Sequence, residues 1–305
     1  MFRRSRSVLL VVLGVLGVGV LAGCGGDGND DQASGQSSSS VTDPGPVHVH
    51  GLGINPSDGA LFIATHTGLF RAPKGEQTAV RVAGRYQDTM GFTVVGPNRF
   101  LGSGHPDLRE KLPPYLGLIR SQDAGQTWRP ISLLGKADFH VLEASGQRVV
   151  GFGSDFDTRA SQLLVSDSGG ETWRKRKLPS ARMLIDLAIS PDDADRMLAA
   201  DERGLYRSDD AARSWKRLDG AAGLLGWRAD GVYRMTLDGQ LSRSTDQGRS
   251  WQTIGRVDGA PAAFQAERDA LYVALHDGGT VLMSKNGGRD WTVRSRPKQT
   301  NSNGS

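Results

Sequence analysis

Five segments of the chain share the spacing Ser-x-Asp-x-Gly-x-Thr-Trp: SQDAGQTW from Ser121, SDSGGETW from Ser166, SDDAARSW from Ser208, STDQGRSW from Ser244 and SKNGGRDW from Ser284. Their tryptophans, Trp128, Trp173, Trp215, Trp251 and Trp291, stand 45, 42, 36 and 40 residues apart. A repeat of this period is that of one propeller blade. Around each copy the same order of strand-like runs recurs, as in DLAIS, RMLAA, GLYRS and WKRL, which implies four short strands per repeat. A sixth unit precedes the others, because VHVHGLGI, ALFIATHTGLFRA and VRVAG follow the same order with APKGEQT in place of the motif. The expectation is an all-β, six-bladed propeller over residues 47–296, with four antiparallel strands per blade and almost no helix.

The motif has the chemistry of a tight hairpin. A carboxylate such as Asp123, Asp210 or Asp246 accepts backbone N–H groups, glycine permits a positive φ, and the tryptophan covers the adjoining core. Only the copy ending at Trp128 is perfect; Ser168 and Asn286 replace the aspartate, and Ala212 replaces the glycine. The motif resembles the Asp-box, or BNR repeat, of sialidases, sortilin-type receptors, xyloglucanases and photosystem assembly factors. That resemblance implies that the boxes are structural and lie opposite the functional face. The whole of residues 47–296 is similar to bacterial secreted Asp-box propeller lipoproteins labelled sialidase-like or glycosylhydrolase-like.

The N-terminus reads as an address. Residues 1–7 are basic and residues 8–20 apolar, and Leu21-Ala22-Gly23-Cys24 resembles a bacterial lipobox. The reading is a signal peptide over 1–23, lipidation at Cys24, a disordered tether over 24–46 with almost no apolar content, and a disordered tail over 297–305. The protein is then expected to be extracytoplasmic and held to the cell membrane by lipid. The single cysteine excludes internal disulfides and Cys-based zinc clusters. The formal charge of +4 includes Arg3, Arg4 and Arg6, and removing these leaves 34 basic against 33 acidic residues, a net +1. Nucleic acid is therefore not an expected partner. An extracellular glycan or an envelope protein is, and the expected state is a monomer.

Superposing the repeats locates the chemistry. In a propeller the start of each innermost strand shares one rim with the loop between the second and third strands. On that rim the repeats place His48 and His50, Asp88 and Met90, Asp138 and His140, and Asp186. The second loops add His66, His105 with Asp107, Asp155 with Asp157, Asp201 with Glu202, Asp238, and His276 with Asp277. All six histidines of the chain fall there. Neutral imidazoles and carboxylates converging on one mouth are what a divalent metal, copper or zinc, requires. His48, His50, His66, His105 and His140 are the candidate ligands. His48 and His50 are expected on one side of a strand by alternation. The alternative is that these groups pin loops at a wet channel mouth. The long segment from Gly102 to Gly117 reads as a lid or recognition loop, or as a simple surface insertion.

Three functional classes remain open at this level. A glycoside hydrolase would draw its acids from Asp88, Asp138, Asp155, Asp157 and Asp186. The sialidase arginine triad and Tyr/Glu pair are not evident. A ligand- or metal-binding module would use the His/Asp rim without turnover, and a protein-interaction scaffold would need neither.

Overall fold

The computed structural model describes residues 43–297. The signal, Cys24 and most of the tether and tail read from the sequence lie outside the described residues. Six four-stranded antiparallel sheets follow one another along the chain, each with its strands paired in sequence order. Blade one holds β1 (Val49–Ile54), β2 (Leu61–Thr65), β3 (Gly68–Ala72) and β4 (Val80–Arg81). Blade two holds β5 (Asp88–Gly96), β6 (Arg99–His105), β7 (Leu118–Ser121) and β8 (Arg129–Ser132), and blade three β9 (Ala137–Ser145), β10 (Arg148–Asp155), β11 (Ser161–Ser166) and β12 (Arg174–Arg176). Blade four holds β13 (Leu184–Ile189), β14 (Met197–Asp201), β15 (Gly204–Ser208) and β16 (Lys216–Leu218). Blade five holds β17 (Leu224–Arg228), β18 (Gly231–Met235), β19 (Gln240–Ser244) and β20 (Gln252–Arg256), and blade six β21 (Pro261–Ala266), β22 (Leu271–Leu275), β23 (Val281–Ser284) and β24 (Thr292–Ser295). The protein is a six-bladed β-propeller, with one 3-10 turn at Val82–Gly84 as its helical element among the described residues.

The second strands explain the radial packing. LFIAT of β2, MLAAD of β14 and LYVAL of β22 are buried at every position. Such strands lose the in–out alternation because both faces pack against neighbouring blades. The apolar clusters accordingly lie between blades. Val49, Leu61 and Phe70 of blade one pack with Tyr272, Ala274 and Val281 of blade six, which closes the ring. At that seam the buried Arg294 donates to the carbonyl oxygens of Ala72 (3.0 Å), Pro73 (3.0 Å) and Glu76 (2.6 Å).

The repeated turns join the third and fourth strands. Ser121 Oγ donates to Asp123 Oδ1 at 2.8 Å and accepts the Gly125 N–H at 2.8 Å. Asp123 also accepts the Thr127 N–H (2.9 Å) and hydroxyl (2.6 Å). The same bonds recur at Asp210 and Asp246, while Ser168 and Asn286 accept the equivalent N–H groups with neutral oxygens. The five tryptophans, which the spacing predicts buried beside their turns, are half-buried instead. Each indole packs against one of the apolar clusters with part of its ring in solvent. The Trp128 ring, for instance, would stand 3.1 Å from a Cβ at Gly102, and Trp173 Nε1 donates to Ser132 Oγ at 2.9 Å.

Candidate functional site

The innermost strands do not enter the channel as regular ladders. The pairing register shifts between Val49 and Gly51 in β1, Thr89 and Gly91 in β5, Leu184 and Asp186 in β13, and Pro261 and Ala263 in β21. In β9 it shifts opposite Phe152/Gly153, leaving His140 unpaired. The extra residues are His50, Met90, His140, Ile185 and Ala262, and all five line the central cavity. A bulge kinks the strand and re-aims one side chain, so five blades use the same device to deliver a residue to the channel.

This geometry corrects the alternation argument for His48 and His50. His48 precedes β1 and has φ 52, in the left-handed region, while His50 is the bulge residue. The two rings meet at His66 nonetheless, with centroid separations of 5.4 Å for His48 and 4.3 Å for His50. His66 sits in the loop between β2 and β3, and its Nδ1 lies 3.0 Å from Asp88 Oδ1 at the start of β5. His50, His66 and Asp88 each present one ligand atom, all within 4.8 Å of one another. His50 Nε2 is buried and has no hydrogen-bond partner. Burial, and then the neighbouring rings of His66, His140 and His48, lower the His50 pKa to about 4. Burial raises that of Asp88, against the His66 hydrogen bond.

A second group adjoins the first. Asp138, 3% exposed, faces His140 Nε2 at 2.9 Å and His105 Nε2 at 3.5 Å through Oδ2, while its Oδ1 is buried without a partner. The Asp138 hydrogen bond raises the His140 pKa. The five proposed ligand histidines thus fall into His48/His50/His66 about Asp88 and His105/His140 about Asp138. Charge on His140 and on Asp138 is felt at His50.

The remaining rim residues have other places. Asp155 accepts the Thr158 N–H (2.8 Å) and hydroxyl (2.7 Å) and so caps its own loop, beside the exposed Asp157. Asp201 is fully buried and holds Ser180 Oγ and the Arg203 N–H. Asp186 lies one residue past its bulge and accepts the N–H groups of Leu187 and Leu225, both at 2.8 Å. Burial pushes its carboxyl up to about 7. Superposing motifs missed two deeper acids, Glu143 and Glu267, because they lie toward the far ends of β9 and β21. Burial raises the pKa of both, and for Glu143 the charges of Asp186 and Glu267 add to it. Glu143 and Gln265 line both the upper cavity and a second cavity that also takes in Trp227 and Glu267.

The loop between β6 and β7 is tied down. Asp107 accepts the Tyr86 N–H (2.8 Å) and the Arg109 N–H and Nε, Glu110 pairs with Arg85 at 3.0 Å, and His105 Nδ1 meets Pro114 O at 2.8 Å. Tyr115 stacks edge-on to Phe156 at 5.2 Å and bonds to Arg159.

The class defined by these observations is a six-bladed propeller whose channel mouth gathers imidazoles and carboxylates on strand bulges. No family model and no curated protein matches the chain. Among solved structures it is similar to the GH74 enzyme of Niastella koreensis, at 13% identity and TM-score 0.56, over 82% of this chain and 45% of that one. It is likewise similar to the GH74 xyloglucanase of Xanthomonas campestris, at 16% identity and TM-score 0.52, over 82% and 45%. A structure of YCF48 bound to D1 peptide aligns at 16% identity and TM-score 0.46, over 71% and 69%. The likeness is one of fold, and the chain spans less than half the length of either GH74 chain.

Proposed function

We propose that this protein is a cell-envelope lipoprotein, anchored at Cys24, whose propeller binds a divalent transition-metal ion at the channel mouth. His50, His66 and Asp88 would hold the ion, His48 stands beside them, and Asp138 holds His105 and His140 nearby. The observation that carries the reading is the grouping of His50, His66 and Asp88, each with one ligand atom within 4.8 Å of the others, in which the buried His50 Nε2 has no hydrogen-bond partner. A nitrogen taken out of water without a partner costs stability unless something accepts its lone pair. Two imidazoles and one carboxylate suit zinc or copper. The low pKa of His50 keeps its ring neutral, with one nitrogen lone pair free to bind an ion, down to about pH 4.

A glycoside hydrolase is the second reading, favoured by the Asp186 carboxyl with its pKa near 7 and by the fold shared with GH74 enzymes. Cavity size weighs against it. The chamber holding Asp186 has a volume of about 80 Å³, whereas organic-ligand pockets run roughly 300–1,000 Å³.

The test is elemental analysis of the purified protein after exposure to zinc or copper and removal of the excess. About one ion per chain is expected, lost in the His50→Ala/His66→Ala variant with its circular dichroism unchanged. Equal metal content in the two proteins would refute the site. Cleavage of xyloglucan that depends on Asp186 would replace it with the second reading.

A further inference from the structure

The rim that carries the histidines also carries nearly all of the apolar side chains left in solvent. Six large hydrophobic residues are exposed among the described residues: Val80, Tyr86, Leu108, Leu112, Met183 and Leu237. Val80 lies on the outermost strand of blade one, and the other five stand on this rim. Tyr86 precedes β5, Leu108 and Leu112 lie in the loop between β6 and β7, Met183 precedes β13, and Leu237 tips the turn between β18 and β19. Leu108 is 101% exposed, so its side chain touches almost nothing of the fold. The opposite rim, where the repeated turns lie, exposes polar tips instead, including Gln126, Arg213, Arg249, Lys285 and Arg289.

The polypeptide joins the propeller on the same rim. Gly45 O accepts the Thr67 hydroxyl at 2.8 Å in the loop between β2 and β3, and Pro46 O lies against Gly279 in the loop between β22 and β23. Residues 25–42 separate Cys24 from this point. A stretch of that length reaches at most about 60 Å.

We infer that this rim is a lipid-docking face, on which the propeller rests with its histidine-lined mouth turned toward the bilayer. The inference rests on the anchoring at Cys24 proposed above. Apolar residues on blades two, four and five, with the attachment at blade one, are spread around the channel and define a plane across its mouth. Separate protrusions of this kind suit a deformable interface that admits each side chain singly, whereas a protein partner would be matched by one contiguous patch. Tyr86, with Arg81 stacked 3.8 Å over its ring, has the amphipathic character that settles at headgroup level. Each contact is weak alone, but a short tether holds the rim near the surface at an effective concentration on the order of millimolar.

Cys24 is the sole cysteine, so an introduced cysteine is unique once Cys24 carries lipid. The experiment places an environment-sensitive fluorophore on Leu108→Cys, Met183→Cys or Leu237→Cys of the full-length lipidated protein, and on Gln126→Cys or Lys285→Cys of the opposite rim. The proteins are reconstituted in phosphatidylethanolamine–phosphatidylglycerol vesicles containing phosphatidylcholine spin-labelled near the acyl carbonyl. Docking predicts a blue shift and loss of most emission at the first three positions, with the two controls unchanged. Equal quenching on both rims, quenching of the controls alone, or rim probes shielded from aqueous iodide yet unquenched by lipid would each overturn it. The last result would point to a protein partner. Sedimentation separates the two layers of the argument: protein that does not float with vesicles overturns anchor and docking together, while floating protein with an unquenched rim overturns docking alone.

Discussion

At residue scale the channel acids set a pH dependence whose sign follows from Asp186. Unfolded, this carboxyl titrates near 4; folded, near 7. The folded state therefore holds an extra proton between those values, so stability falls as pH rises from about 4 to 7, and the loss persists above 7. The linked energy is on the order of 4 kcal/mol at most. Asparagine cannot accept the Leu187 and Leu225 N–H groups through two oxygens, but it carries no charge to bury. Thermal melts of wild type and Asp186→Asn should show a wild-type advantage near pH 5 that shrinks or reverses by about pH 8. A difference that does not change with pH would contradict the burial of an ionisable group there. His50 and Asp138 are legible as candidates from residue type alone, but their orphaned atoms are not. Which atom lacks a partner depends on what neighbouring blades bring up to it.

At the scale of the element, the repeated turn offers its own test at its imperfect copy. Ala212 occupies the glycine position with φ 60, a conformation that costs an L-residue about 1–2 kcal/mol. Ala212→Gly relieves this while loosening the unfolded chain, and a net gain of up to about 1 kcal/mol is expected in chemical denaturation. In the perfect copy the reverse holds. Gly125 has φ +83, and a Cβ there would lie 2.6 Å from Leu69 Cδ2, so Gly125→Ala should destabilise by at least about 1 kcal/mol. The turn was readable because its bonds are local, running from Ser and Asp to N–H groups two to four residues on. The bulges were not, although they decide what reaches the channel. A strand of pattern HVHG reads as alternating, and only the pairing of β1 with β2 shows that His50 is the extra residue.

For the whole molecule, the ring closes at the seam between blades one and six. Arg294 is a fastener there, a residue only 8% exposed whose guanidinium donates to three carbonyl oxygens. Arg294→Met keeps the apolar stem and strands those carbonyls, at a cost of about 3 kcal/mol in denaturant unfolding. A shift smaller than about 0.5 kcal/mol would mean that the apolar cluster and the other seam hydrogen bonds, such as Arg296 N–H to Gln77 O, close the ring without it. Metal loading should raise the melting temperature of wild type and leave that of His50→Ala/His66→Ala unmoved, since only a ligand bound by the native state stabilises it.

The number of blades, the four strands in each and the structural character of the turns are all legible in the sequence. Each is written in spacings within about 45 residues, where a period of blade length and local hydrogen-bonding chemistry leave few alternatives. The sequence also groups the histidines on one rim, because blade superposition is a property of the repeat. Which of those groups meet is set by the folded chain. His50 and Asp88 come from different blades, and their approach to His66 depends on a bulge, a left-handed residue before it and the packing of β1 against β5. Asp155 shares the rim with Asp88, and Asp186 shares its place in the superposed repeats, yet one caps a loop and the other is held inside the channel by two backbone N–H groups. Their environments are set by neighbours distant in sequence, and no local spacing encodes them.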